Sequence, residues 1–309
     1  MRPGILFAVL LLSRAAPCAA AGGSAAQFLS LGFGARALGM GEAYTAVADD
    51  ISCVYYNPAG LADGQEARQL AFSHAFHLEG TSVSQAAYMK RPYAAAITYF
   101  SAGDLEGRDA SANLTGDFTA RDVAAQYSRG FRLGPLYAGA TGKVVSQRIK
   151  TSGATSFAAD LGLLYRLRGT PYSFGAAVTN FGTRVKFEDE SFPLPLKLKA
   201  GAAAAFAGPR LLLALDGEFP NDGPAALRAG AEYRGLEGIA LRRGWRTTAS
   251  GQRDALLGRG FGEDVSGVAG MYGFFAGAGF AYAGFTLDYA LLPYGDLGTA
   301  HRFSVGMKF

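Results

Sequence analysis

From residue 68 onward the chain divides into segments of about ten residues in which large apolar side chains alternate with small or polar ones. A period of two belongs to a strand with two unlike faces, because successive Cβ atoms point to opposite sides. In the final segment Phe303, Val305, Met307 and Phe309 share one phase, while Arg302, Ser304, Gly306 and Lys308 share the other. The split recurs with Phe157, Ala159, Leu161, Leu163 and Tyr165 against Asp160, Gly162 and Arg166, and with Leu211, Leu213 and Leu215 against Asp216 and Glu218. A soluble sandwich would instead bury a phase rich in branched aliphatics and put the charge outside. Aromatic-ended strands with charge on the opposite face suit a barrel with lipid outside and water within.

Such segments lie near residues 68–75, 82–90, 93–102, 117–129, 136–149, 156–167, 172–182, 197–206, 210–219, 226–234, 238–247, 274–282, 284–292 and 301–309. The expected fold is therefore all-β, a transmembrane antiparallel β-barrel of about 14 strands. Connections after even-numbered strands are tight, and those after odd ones are mostly longer, notably 103–116, 182–196 and 248–273. Short turns on one side and long loops on the other fit periplasmic and external ends. The last strand then runs from outside at His301 to the periplasm at Phe309, where it closes against the first strand. Phe303, Val305, Met307 and Phe309 form the end signal expected to be read by the barrel-assembly machinery.

Two features compete with this reading. Residues 265–287 carry no charge and could in length alone cross a bilayer as a helix. Their internal alternation, with Phe274, Phe280 and Tyr282 in one phase and Gly277, Gly279 and Ala281 in the other, argues for strands. Arg243 falls in the lipid phase beside Leu241 and Trp245, which calls for a bulge or for an interfacial position where the side chain snorkels.

Arg2, the apolar run Ile5 to Leu12 and the small residues Ala19, Ala20 and Ala21 have the order of a secretory signal, with cleavage expected after Ala21. Cys18 follows Ala15, Ala16 and Pro17 rather than the large apolar residue that normally precedes a lipidated cysteine. The expected location is the outer membrane of a diderm bacterium. After cleavage only Cys53 remains, so stability cannot come from an internal disulfide. The formal charge of +4 is spread without a basic cluster, which excludes a nucleic-acid partner.

Residues 22–62 differ from the rest, with closely spaced glycines and no long alternation. They read Gly32-Phe33-Gly34-Ala35-Arg36-Ala37-Leu38-Gly39-Met40-Gly41-Glu42, then Asp49-Asp50, then Asn57-Pro58-Ala59-Gly60-Leu61. Pro58 pushes Asn57 out of the helical region, Asn and Gly favour compact turns, and glycines permit close approach to a wall. With the ending Leu287-Asp288-Tyr289-Ala290 through residues 295–298 to His301-Arg302-Phe303, these runs resemble the PorV/PorQ family of outer-membrane proteins, itself similar to FadL-type fatty-acid channels. The resemblance implies that residues 22–62 fold inside the lumen as a hatch and that residues 63–309 form the barrel. It makes Gly34, Arg36, Gly39, Gly41, Asp49, Asp50, Asn57, Pro58, Ala59 and Gly60 the hatch motif. Glu42 departs from the pattern, since relatives commonly carry a small residue there.

No motif for catalysis survives inspection, so the chain is not expected to be an enzyme and no cofactor is expected. Residues 32–37 fit a dinucleotide-binding pattern only formally, without the strand, helix and acidic partner it needs. His74, His77 and Glu79 lack a third metal ligand with workable spacing, and Ser73 beside His74 lacks an orienting carboxylate. The bland reading makes His74 and His77 loop or rim residues and His301 a polar rim residue at the outer end of the last strand. Asn113-Leu114-Thr115 is an uninformative acceptor-like triplet in an exported bacterial chain. Lumen-phase Lys143, Asp160, Arg166, Lys199, Asp216, Glu218, Arg228, Glu232, Arg242, Asp288 and Arg302 mix both signs, as paired networks lining water or holding a plug would. Two functions follow as expectations: transport or binding of hydrophobic small molecules across the outer membrane, and a cargo-binding role in a type IX-like secretion system, with secreted proteins or secretion components as partners.

Overall fold

The computed structural model describes residues 23–64, 68–76, 80–108, 111, 113–187, 190–208, 210–247, 273–293 and 299–309. The strands are β1 (Arg68–Phe76), β2 (Ser82–Lys90), β3 (Tyr93–Arg108), β4 (Leu114–Leu133), β5 (Leu136–Ile149), β6 (Ser152–Arg166), β7 (Tyr172–Gly182), β8 (Val185–Phe187), β9 (Glu190–Phe192), β10 (Lys197–Phe206), β11 (Leu211–Pro220), β12 (Ala226–Leu236), β13 (Ile239–Arg246), β14 (Phe274–Tyr282), β15 (Phe285–Pro293) and β16 (Thr299–Lys308). All but β8 and β9 form one closed barrel of antiparallel neighbours, so the wall has fourteen strands. Closure pairs β1 with β16 from Gln69 opposite Lys308 to Phe76 opposite His301, and the Phe309 N–H donates to the Arg68 carbonyl at 3.1 Å.

The alternation read from the sequence sorts the two faces. Leu70, Phe72, Ile97, Phe157, Leu161, Leu213, Leu215, Phe303 and Val305 are exposed on the outside of the wall. Ser73, Lys143, Asp160, Asp216, Glu218, Arg228, Glu232, Arg242 and Arg302 are buried on the inside. Residues 274–282 and 285–293 are strands, which replaces the helical alternative over the described part of that stretch. No helix among the described residues is long and apolar enough to cross a membrane.

Four details correct the sequence reading. The long loop expected at 103–116 is mostly strand, because β3 and β4 continue past Gly103 and Gly116 through register shifts at Ser101/Asp104 and Gly107/Arg108. The loop expected at 182–196 contains the β8–β9 hairpin. The turn after β5 is tight although it follows an odd strand. No bulge occurs at Arg243, which pairs in register with Ala231 and Ala276; the irregularity lies instead between Tyr233 and Leu236. The expected signal peptide, its cleavage point, Cys18, His77, Glu79 and residues 248–272 and 295–298 lie outside the described residues.

The segment before β1 lies inside this wall. It comprises a 3-10 turn (Gln27–Ser30), α1 (Ala35–Gly39), α2 (Cys53–Tyr56) and a second 3-10 turn (Pro58–Ala62). It fits because glycines face inward on opposite sides of the barrel. Gly130, Gly139 and Gly162 sit side by side on β4, β5 and β6. A Cβ on any of the three would lie 2.0–2.4 Å from Ala62, Pro58 or Asn57. Across the lumen Gly230 and Gly244 pair on β12 and β13, where a Cβ would come within 2.5 Å of Met40 and 2.0 Å of Gly41. Real Cβ contacts are not that short, so only glycine lets the two backbones approach.

Candidate functional site

Arg36 is the hub of the interior. Its backbone belongs to α1, whose start is set by Gly34 at φ 76° and whose exit turns at Gly41 at φ 64°. The buried guanidinium donates to Glu232 of β12 at 2.9 and 3.0 Å, to the Tyr44 hydroxyl at 2.6 Å, to Asp49 at 2.6 and 3.1 Å and to Asp50 at 2.8 Å. Glu232 is shared with Arg234 and Arg242, each at 2.6 Å, and Arg242 continues to Asp288 at 2.6 Å. Buried charges are tolerable only when paired and hydrogen-bonded, and this chain of pairs ties the segment to β12, β13 and β15.

Electrostatics within the segment follow from that pairing. Burial alone would raise the Asp49 carboxyl, but the adjacent Arg36 overrides it and holds Asp49 well below the usual carboxylate range. Burial pushes the Tyr44 hydroxyl well above its ordinary value, so it stays neutral and donates to Asp49 at 3.1 Å. Burial likewise raises the Cys53 thiol, the free and fully enclosed sulfur of α2.

Asn57 has extended backbone at φ −160°, as Pro58 demands. Its side-chain oxygen accepts from the Ala59 N–H at 3.2 Å, while its amide donates to the carbonyls of Thr45 at 2.8 Å and Leu163 of β6 at 2.9 Å. Ala59 and Gly60 are buried beside it, and a Cβ on Gly60 would strike the Ala48 carbonyl at 2.1 Å. Gly39 rests on Gly277 of β14, 3.1 Å from where its own Cβ would be. Thus Gly34, Arg36, Gly39, Gly41, Asp49, Asp50, Asn57, Pro58, Ala59 and Gly60 all lie inside the barrel, gathered around one buried charge and two backbone contacts. Phe303, Val305 and Phe309 face outward along β16, with Met307 half-buried between them.

Several anchors were not legible beforehand. Asp216 accepts the N–H groups of Tyr44 and Thr45 at 2.9 and 2.8 Å. Arg91, in the β2–β3 turn, donates to the carbonyls of Gly60 and Asp49 at 3.0 and 2.8 Å. Glu42 adopts φ 62° and pairs with Arg228 at 2.5 Å. Of the other lumen-phase charges, Lys143 pairs with Asp160 at 2.8 Å, Arg166 with Asp63, Arg228 with Glu218 at 3.0 Å, and Arg302 donates to Gln85 at 3.0 Å. His74 lies in β1 and His301 near the outer end of β16. Both point outward, His74 bonded to Ser84 at 2.9 Å and His301 to the Tyr289 hydroxyl at 2.7 Å. Among the described residues no group of three His, Cys, Asp or Glu converges as metal ligands would.

Two cavities flank α1 along the same sector of wall. Toward the long loops, about 390 Å³ is lined by Leu38, Glu42, Lys197, Glu218, Arg228 and Arg302. Toward the short turns, about 380 Å³ is lined by Phe33, Ile51, Arg36, Arg242, Asp288 and Gly306. Between them α1 packs on Phe275, Ala290, Leu292 and Ala300.

A closed fourteen-stranded wall around a folded amino-terminal segment, with a cavity on each side of it, defines the class of a β-barrel with a segment folded in its lumen. No family model matches the chain, and no curated protein matches it by sequence. Solved structures share its fold. A TodX monoaromatic hydrocarbon channel lacking S2 and S3 superposes with a TM-score of 0.60 at 12% identity, covering 90% of this chain and 98% of that one. The toluene transporter TodX of P. putida gives 0.57 at 12% identity, covering 90% and 96%. A Pseudomonas aeruginosa FadL homologue gives 0.50 at 12%, covering 87% and 96%. The fold is thus FadL-like.

Proposed function

We propose that this chain is an outer-membrane barrel that passes hydrophobic small molecules, with residues 22–62 acting as its hatch. The observation that carries the reading is the pair of cavities on either face of α1, aligned along one sector of the wall and separated by a single short helix. The long-loop end is then external and the short-turn end periplasmic. The likeness to proteins described as a monoaromatic hydrocarbon channel and a toluene transporter supports the cargo class. Cargo would enter the outer cavity, pass α1 when the Arg36 network loosens, and leave through the inner cavity, whose Phe33 and Ile51 offer apolar surface. No bond is made or broken in this scheme. Deleting residues 23–62 should leave a wall that still migrates anomalously on unheated gels but conducts ions strongly in planar bilayers. Unchanged conductance would overturn the hatch, and a deletion strain with normal uptake of hydrophobic compounds would overturn the cargo class.

A second reading rests on β3 and β4, which project past Gly103 and Gly116 at the external end. With the PorV/PorQ resemblance, that hairpin would serve as a docking arm for secreted proteins. Its removal should then abolish a secretion phenotype while leaving conductance and uptake intact.

A further inference from the structure

Arg243 lies on the outward face of β13, three residues before its long-loop end, exposed, and opposite Ala231 on one side and Ala276 on the other. Other exposed outward cations are spread along the wall, Arg121 within β4 opposite Arg148 of β5 among them. Arg68 begins β1, Lys90 ends β2, and Arg129 lies near the end of β4, stacked over Tyr93 and Phe131 at 5.4 and 5.0 Å. Those positions form an ordinary belt at the short-turn end. Arg243 lies instead toward the long-loop end, and no ion pair to it is present among the described residues. Its guanidinium stands 5.6 Å over the ring of Phe274, which is opposite Trp245, so the side chain climbs toward the long-loop end.

The surface around it has a matching relief. Small outward residues, Ala229 and Ala231 on β12 and Ala276 and Ala278 on β14, run beside large ones on β11, β13 and β15, each pair closed at both ends by a large residue of its own strand, Leu227 and Tyr233 on β12, Phe274 and Phe280 on β14. Ridges two strands apart, roughly 10 Å, leave shallow apolar troughs parallel to the strands. A cation with no ion pair among the described residues, set between two short apolar troughs, is complementary to an anion carrying hydrocarbon chains.

Given the membrane placement proposed above, we infer that Arg243 binds the phosphate of an anionic lipid in the outer leaflet, with acyl chains lying in the alanine troughs. The phosphate lends the guanidinium charge-assisted hydrogen bonds, and the neighbouring Phe274 and Trp245 fix its depth. The lipid is therefore a retained constituent of this sector of the wall, which is also the sector that carries both internal cavities.

The test compares wild type, R243L, R243K and R129Q, each refolded into phosphatidylcholine vesicles with and without phosphatidylglycerol. The readouts are the temperature at which anomalous gel migration is lost and the lipid retained in native mass spectrometry. Wild type should gain stability from phosphatidylglycerol and retain one copy. R243L should lose that increment and bind roughly tenfold more weakly or worse, the scale of one charged contact. R243K should keep part of it, and R129Q all of it. Equal increments in wild type and R243L, or equal losses in R243L and R129Q, would overturn the site. So would R243L being the more stable protein in both vesicles, which would make Arg243 an embedded charge and nothing more. Dimers that depend on Arg243 would assign the surface to a second copy of the chain instead. Failure of every variant to enter vesicles would count against the membrane placement, a separate result.

Discussion

Gly139 of β5 and Pro58 of the inner segment meet with no room for a methyl group: a Cβ on Gly139 would lie 2.2 Å from the Pro58 carbonyl carbon. The obstruction is backbone, so it cannot be relieved by a rotamer change. Gly139→Val should therefore push the 58–62 turn off the wall, at a cost of about 1–3 kcal/mol for overpacking. The wall itself, held by its ladder, should persist. Conductance above wild type with unchanged gel migration is the expected result.

Cys53 reports on the same event. Its thiol is enclosed in α2, and burial keeps it protonated; reactivity needs an accessible thiolate. A colorimetric thiol reagent should leave Cys53 of the native protein unlabelled at neutral pH and label it in denaturant. In Gly139→Val labelling should become measurable without denaturant.

Arg36 serves Glu232, Asp49 and Asp50 at once. Removing it strands carboxylates inside the barrel, and breaking a buried pair from one side costs about 3–5 kcal/mol. Arg36→Leu should lower the unfolding midpoint strongly. Arg36→Leu with Glu232→Leu should recover part of the loss, because the double change removes partner and orphan together. A coupling of about 1–3 kcal/mol in the double-mutant cycle is expected.

Acid should loosen the interior late. The folded Asp49 carboxyl titrates below its ordinary value of 3.8 because Arg36 outweighs burial. A depressed folded value contributes stability above the unfolded value and loses it as pH falls through the folded one. The Asp49 contact should thus be intact from neutrality down to about the ordinary value and weaken only in stronger acid. Conductance followed from pH 7 downward should stay low until that point, and Asp49→Asn should remove this acid-side transition. Arg91, Arg234, Asp50 and Glu232 surround the same site and are unchanged in that comparison.

The wall was largely legible because its signal is local. Strands such as 82–90 and 136–149 announce themselves by which neighbours alternate. The β3–β4 extension was missed because Gly103 and Gly116 read as turn residues, whereas register shifts let the ladder run past them. The interior was legible only in part. Asn57-Pro58 signalled a tight turn, but nothing local connects Arg36 to Glu232, 196 positions away. The inward glycines of β4, β5, β6, β12 and β13 did leave a trace: glycine recurs in the lumen phase of strands, where an ordinary wet lumen would not require it. Arg243 remained an anomaly in the sequence because alternation gives the face and not the depth.

The wall closes by pairing β1 with β16, so its seam joins the two strands most distant along the chain. Contacts of that span form slowly, since a long loop must be brought together first. Residues 23–64 precede β1 in the chain and occupy the space between the two cavities that the finished cylinder encloses. If that seam shuts last, the segment can settle against the open wall first, and the order in which the molecule is assembled would then bear on how its interior is filled.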